Sequence, residues 1–308
     1  MSAVKTPDDF LHTIMATLGY APPHVEPDKF LRYGPRKSGW AKLFSDGLGG
    51  VFGCYKQNLS SHWNARANET PSELAAMRHQ IHAAERERAA AQRVRWAKNA
   101  LKNAALWAES EPAGEAVIRY LAARGLADWC IPTCIRQHPR LAYWHTNNDG
   151  VLHNMGNFPA MLAPIVSSDG KLLAIHRTYL GNARKANVPA PKKLTASAGL
   201  LAGACIPLAG PRGGVIGIAE GIETAAAASL GSGLPVVAAY CAHALSGFHW
   251  PRGVERLVIF ADNDPAGQQA AAVLTQRANK AGLDTKTLTP SKPGTDWADV
   301  YQDGKRHE

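Results

Sequence analysis

The sequence predicts a mixed chain: a C-terminal α/β domain on a parallel sheet, preceded by a basic α+β domain, a long helix and a small β-rich N-terminal module. Three observations predict it. After residue 213, apolar runs without polar alternation ("VIGIA", "PVVAAY", "RLVIF") alternate with Ala-rich helical stretches ("IETAAAASL", "PAGQQAAAVLTQRANKAG"), the pattern of a parallel sheet covered on both faces. Between 130 and 212, "MLAPIVSSDGKLLAIHRTYL" joins two apolar runs through Asp169-Gly170, a strong hairpin signal. From residue 71 to about 109 the composition turns abruptly to Ala, Arg, Glu, Gln and Lys, all good helix formers.

Taken in order, residues 1–65 mix glycines with aromatics, and Asp46-Gly47 and Gly49-Gly50 read as turns between short strands. Trp40, Phe44, Phe52, Tyr55 and Trp63 are assigned to core packing, with base stacking as the alternative. Residues 66–128 form a helical segment: a long helix opening near Pro71 and closing near Ser110-Glu111-Pro112, then a second from Gly114 to Arg124 stopped by Gly125. Arg78, Arg86, Arg88, Arg93, Arg95, Lys98 and Lys102 interleave with Glu73, Glu85 and Glu87, as on an exposed helix with i,i+4 pairs. Residues 129–212 form the basic α+β domain, and residues 213–308 the α/β domain.

With 45% hydrophobic residues in 308, the chain can build ordinary packed cores. Its formal charge of +9 points to a polyanionic partner, nucleic acid ahead of an anionic membrane. No run approaches the roughly 18 apolar residues of a membrane span, and the opening lacks signal-peptide order, so the expected location is cytoplasmic with no membrane partner. Five scattered cysteines fit reduced thiols. Cys130, Cys134 and His138 are spaced like ligands, but Pro132 interrupts them and no second pair completes a zinc site.

The chemistry lies at the strand ends. Glu220 closes the first strand of the α/β domain in "IGIAEGIET", and Asp262 and Asp264 close the third in "LVIFADNDPAG". Ligands of open parallel sheets collect outside the carboxyl ends of the strands, and residues two apart on an extended segment project to the same side. Carboxylates about 5 Å apart repel by about 3 kcal/mol at an effective dielectric near 20, so such a group calls for a cation. Oxygen ligands alone favour Mg²⁺ or Mn²⁺. Asp264 before Pro265 equally suits a helix N-cap, and Glu220 before Gly221 a helix N-terminus; the two motifs at equivalent strand ends favour the metal site. "PGTDWADV" adds Asp296 as a third-site candidate and Asp299, which equally suits a first-turn acid. Glu223 reads as a helix surface residue and His176 as a packed strand residue.

From Gly170 to Ala219 there is no acid, while Lys171, Arg177, Arg184, Lys185, Lys192, Lys193 and Arg212 supply seven cations. Such a belt beside an acidic site suits a phosphate-tracking groove, with Arg177, Arg184, Lys185, Lys192 and Lys193 as candidate nucleic-acid or NTP contacts. The alternative is a solvated face that lacks acids.

The ordered set "AEGIETA", "FADNDPAGQQAA" and "GTDWADV", over roughly 213–303, resembles the Toprim domain shared by bacterial primases, type IA and II topoisomerases and some nucleases. Upstream, "YLAARGL", "FPAMLAPIVSSDGKLLAIHRTYL" and "PKK" resemble the primase-type Toprim proteins of phages, plasmids and integrative elements. The resemblance implies a Rossmann-like Toprim fold, a catalytic Glu220 that can also reach metal, and Asp262, Asp264 and Asp296 as ligands of Mg²⁺ or Mn²⁺. It also implies a DNA primase that joins NTPs into a short RNA primer on single-stranded DNA. No G-x-x-x-x-G-K-S/T occurs, so unwinding is expected from a helicase in trans. A Toprim nuclease and a non-catalytic DNA-binding accessory protein of a mobile element are the alternatives.

Overall fold

The computed structural model describes residues 6–65, 71–147 and 149–305. The chain divides into two compact units, Met1–Val94 and Arg95–Glu308.

The first unit contains α1 (Pro7–Leu18) and an antiparallel sheet of β1 (Leu31–Tyr33), β2 (Gly39–Leu43), β3 (Gly49–Cys54) and β4 (Leu59–Asn64) in sequential order. The sequence reading of this module named strands only. Helix α1 nevertheless carries a start signal: Pro7 opens it, and the Asp9 carboxylate accepts from the Thr6 N–H at 2.6 Å. Its Phe10, Ile14 and Leu18 bury against Phe52 and Trp63 of the sheet. Trp40, Phe44, Phe52 and Trp63 are buried, while Tyr55 is exposed. Gly49-Gly50 is not a turn but the start of β3, where a Cβ at Gly50 would meet the Phe10 ring at 2.8 Å. The aromatic ring lies on bare backbone there, which is why glycine stands in a strand.

Helix α2 (Pro71–Ala108) belongs to both units. In the first, Ile81 and Ala84 pack on Trp40 and Val51, the Arg88 guanidinium lies 4.5 Å from the Trp40 ring, and Glu87 pairs with Lys42 at 2.6 Å. This stretch therefore has a sheet-facing side as well as an exposed one.

In the second unit, β5 (Glu111–Pro112) and α3 (Glu115–Ala123) lead into long strands β6 (Arg136–Thr146), β7 (Leu152–Val166) and β8 (Leu172–Gly181), with short β9 (Arg184–Lys185) and β10 (Lys192–Leu194). They form an antiparallel sheet, β10-β8-β7-β6-β5, with β9 also on β8. Gly170 turns the β7–β8 hairpin with φ of 82°, a conformation glycine takes without strain. One face carries Tyr143, Ala160, Leu162, Ile175 and Tyr179, covered by Leu106 and Trp107 of α2.

The C-terminal part alternates strand and helix: β11 (Val215–Ala219), α4 (Ile222–Ser232), β12 (Val236–Ala238), α5 (Ala242–Gly247), β13 (Arg256–Phe260), α6 (Pro265–Lys280), β14 (Asp284–Leu288) and α7 (Trp297–Lys305). The strands are parallel in the order β12-β11-β13-β14. One face, with Ile216, Ile218, Leu257 and Ile259, packs on α5 and α6 through Leu245, Phe248 and Leu274. The other shares a core with Met161, Ala163 and Ile165 of the antiparallel sheet and with the alanines of α4. Residues Ile222 through Ala228 are all buried, so α4 has no solvent face over its first two turns. A helix enclosed on all sides must be apolar and slim all round, and the alanine run supplies both. No helix among the described residues is long and apolar enough to cross a membrane.

Candidate active site

The parallel sheet brings Glu220, at the end of β11, and Asp262 and Asp264, after β13, to its carboxyl edge. Asn263, between the two aspartates, ties the β14–α7 loop to this edge. Its N–H donates to the Thr295 carbonyl at 3.0 Å, its carbonyl accepts from Gly294 N–H at 2.7 Å, and its side-chain amide donates to Pro290 O at 2.8 Å. These bonds deliver Asp296.

The crowding of charge acts on two of these acids, Asp262 and Glu220. Asp262 is pushed up to about 7, first by burial, then by the charges of Glu220, Asp296 and Asp264. Glu220 is raised by burial and then by Asp264, with a smaller contribution from Asp296. Lys192 acts in the opposite sense on both groups. One oxygen of Asp262, Oδ1, is buried without a hydrogen-bond partner.

Capping roles coexist with this clustering. Asp264 is the N-cap of α6, its Oδ1 accepting from Gly267 N–H at 2.7 Å. Asp296 Oδ1 accepts from Asp299 N–H at 2.9 Å and Asp299 Oδ2 from Asp296 N–H at 3.2 Å, a reciprocal pair at the start of α7; Thr224 also donates to Asp296 at 3.4 Å. Asp299 is thus a capping acid. Gly267 is needed because a Cβ there would lie 2.7 Å from the Asp262 carbonyl oxygen. The "PAG" following the aspartates lets α6 begin directly beneath them.

The donor set is oxygen only, which suits a hard divalent ion, and the unpartnered Asp262 oxygen is one that such an ion would satisfy. Among the described residues, however, no three Asp, Glu, His or Cys side chains stand closely enough to hold a metal ion as they are. Binding would draw the carboxylates together from these positions.

The basic belt is divided rather than continuous. Strand register pairs Lys193 with Arg177 but Lys192 with Thr178, so the two lysines leave the sheet on opposite faces. Lys193 donates to the Trp144 carbonyl and sits 4.0 Å from the Tyr143 ring, while Arg177 donates to the Leu194 carbonyl at 2.8 Å. Likewise Lys185 pairs with Leu180 and exposed Arg184 with Gly181, on alternate faces. Of the five cations expected to contact phosphate, Lys192 acts on the edge acids Glu220 and Asp262, while Lys185 lies near Lys192 and Glu223. Lys185 is lowered by burial and by the like charge of Lys192, with Arg124 adding to the crowding.

The reading of Glu223 as a surface residue is overturned. It is 4% exposed, with Oε1 accepting from Tyr120 OH at 2.5 Å and Oε2 from Lys192 Nζ at 3.0 Å. Burial pushes its carboxyl up, but Lys192 and the Tyr120 bond outweigh burial and bring it down to about 2. His176, also buried, is lowered to about 4 by burial and then by Lys192. Glu223, Tyr120 and Arg124 were missed because no local pattern marks a helix covered by a second sheet.

Fold and site thus define an open α/β domain with clustered acids at the carboxyl edge of its parallel sheet. Residues 215–306 match the Toprim domain family, and the C-terminal part of this chain is a Toprim domain. Residues 97–205 match a domain of unknown function, DUF7146. No curated protein matches the sequence. Among solved structures the chain is similar to a DNA primase domain from Pseudomonas aeruginosa, at 18% identity over 64% of this chain and 71% of that one, with a TM-score of 0.42. It is similar to the DnaG primase catalytic domain bound to ssDNA, at 16% identity over 70% and 78% of the two chains, with a TM-score of 0.45. The zinc-binding and RNA polymerase domains of Aquifex aeolicus primase align at 13% identity over 98% and 84%, with a TM-score of 0.35.

Proposed function

We propose that this protein is a metal-dependent nucleotidyltransferase that joins NTPs into a short RNA primer on single-stranded DNA, the template being exposed by a separate helicase. The observation that carries the reading is the crowding of Glu220, Asp262, Asp264 and Asp296 at the edge of a Toprim sheet, with Lys192 the cation acting on Glu220 and Asp262. Asp262, Asp264 and Asp296 would hold Mg²⁺ or Mn²⁺, with Glu220 beside them. Such an ion neutralises phosphate oxygens and lowers the pKa of an attacking hydroxyl.

The chain's own groups have separate tasks. Glu220, its proton affinity raised by burial and by the charge of Asp264, is the group suited to take a proton from a nucleotide 3′-OH. Lys185, Lys192 and Arg124 crowd around one buried carboxylate, Glu223, leaving surplus positive charge for a triphosphate or a template phosphate. Arg177 and Lys193 are engaged on the opposite sheet face and play no part in this contact.

The experiment is incubation of the protein with single-stranded DNA, labelled NTPs and Mg²⁺ or Mn²⁺, beside Asp262→Asn. Labelled oligoribonucleotides with the wild type and none with the variant are expected. Shortened template without incorporation would replace this reading with a Toprim nuclease, and salt-sensitive binding without either product would replace it with an accessory role.

A further inference from the structure

Among the described residues, Glu223 is the only carboxylate in the buried class, and it lies one helical turn after Glu220 on the enclosed helix α4. Both its oxygens are committed, one to Tyr120 of α3 and the other to Lys192 of β10. Three separate elements therefore meet at one side chain. Lys192 stands on a three-residue edge strand, and its side chain is 38% exposed. A lysine so placed, with four rotatable bonds, disperses its ammonium unless a partner holds it.

Glu223 is suited to that task. Its backbone is fixed by close packing on all sides, and the Tyr120 hydroxyl fixes the rotation of its carboxylate. Because Glu220 adjoins the same helix, an ammonium tethered to Glu223 keeps a set position relative to Glu220. We infer that Glu223 is a positioning residue, which through Lys192 holds a cation of the upstream domain at the carboxylate edge of the Toprim domain. The inference rests on the reading of that edge as the reacting centre. With both carboxylate oxygens engaged by Tyr120 and Lys192, Glu223 acts by removing the freedom of Lys192. A purely structural tie between β10 and α4 would instead affect stability and leave the behaviour of Lys192 irrelevant to turnover.

Two measurements on the full chain separate these possibilities. The first is reductive methylation of lysines followed site by site by mass spectrometry, which needs no activity. In the wild type Lys192 must leave Glu223 before it reacts, so it labels more slowly than exposed Lys286; in Glu223→Gln its rate rises about fivefold or more toward that of Lys286. Glutamine preserves volume and can still accept from Tyr120. Tyr120→Phe removes only a hydroxyl and is expected to shift labelling in the same direction by a smaller factor, and it stands in should Glu223→Gln not fold.

The second is a double-mutant cycle on metal-dependent nucleotide incorporation. Glu223→Gln and Lys192→Met are each expected to raise KM for NTP about tenfold with kcat altered much less, and the double variant is expected to be no worse than Lys192→Met alone. Unchanged labelling of Lys192 in Glu223→Gln, or losses that multiply in the double variant, overturns the inference. If the wild type incorporates no nucleotide, the proposed function fails while the labelling still decides whether Glu223 governs Lys192.

Discussion

Replacing Asp262 by asparagine should make the metal-free protein more stable while abolishing its activity. The ionised Asp262 carboxylate is partly buried among three other acids, and its proton affinity is raised from an ordinary 3.8 to about 7. Three pKa units at 1.36 kcal/mol each amount to about 4 kcal/mol, and solvent access to the site reduces the working figure to roughly 1–3 kcal/mol. Between pH 4 and 7 the unfolded chain has lost this proton and the folded chain retains it, so folding stability falls as pH rises through that window. Above pH 7 the full cost is present, and an amide of the same shape removes it. At 2–4 °C per kcal/mol for a unit of this size, the variant should melt about 2–12 °C above wild type at pH 8 in EDTA. Added Mn²⁺ should raise the wild-type midpoint and leave the variant unmoved. Differential scanning fluorimetry at pH 5 and pH 8, with EDTA or Mn²⁺, reads all of these. A variant no more stable than wild type in EDTA at pH 8, or a wild type indifferent to Mn²⁺, would refute the crowding of acids on which the site is built.

Two further expectations follow from particular contacts. Gly267→Ala places a methyl 2.7 Å from the Asp262 carbonyl oxygen; although alanine ordinarily strengthens a helix, a loss of about 1–3 kcal/mol in urea unfolding is expected, together with loss of metal-dependent activity. His176 is held neutral down to about 4, so between pH 6.5 and 4 the unfolded chain binds a proton that the folded chain refuses, and stability falls as pH drops, by up to about 3 kcal/mol. His176→Gln should gain on the wild type by that amount between pH 7 and pH 4 in urea midpoints; a constant difference between the two proteins would show that His176 is not buried in solution.

Much of the C-terminal domain was legible because its signals are local. The runs "VIGIA" and "RLVIF" are strands β11 and β13, and the acids that follow them stand at the carboxyl edge because a parallel sheet directs every strand end the same way. Strand periodicity also contained the division of the belt: 192 and 193, like 184 and 185, are consecutive and must point apart, so counting cations along the chain overstated the groove. The capping signal Thr6-Pro7-Asp8-Asp9 was present too, masked by the glycines and aromatics that follow it.

Element type, strand-end chemistry and turn positions therefore follow from neighbours in the chain, since side-chain period, caps and backbone torsions act over a few residues. The fate of Glu223 does not. Its burial depends on α4 lying between two sheets whose residues come from more than a hundred positions of sequence, and its charge is tolerated only because Tyr120 and Lys192 arrive from 103 and 31 residues away. A charge in a helix is at home on a surface and costly in a core. Which of these it meets is decided by the second layer that covers it, and only tertiary packing supplies that layer.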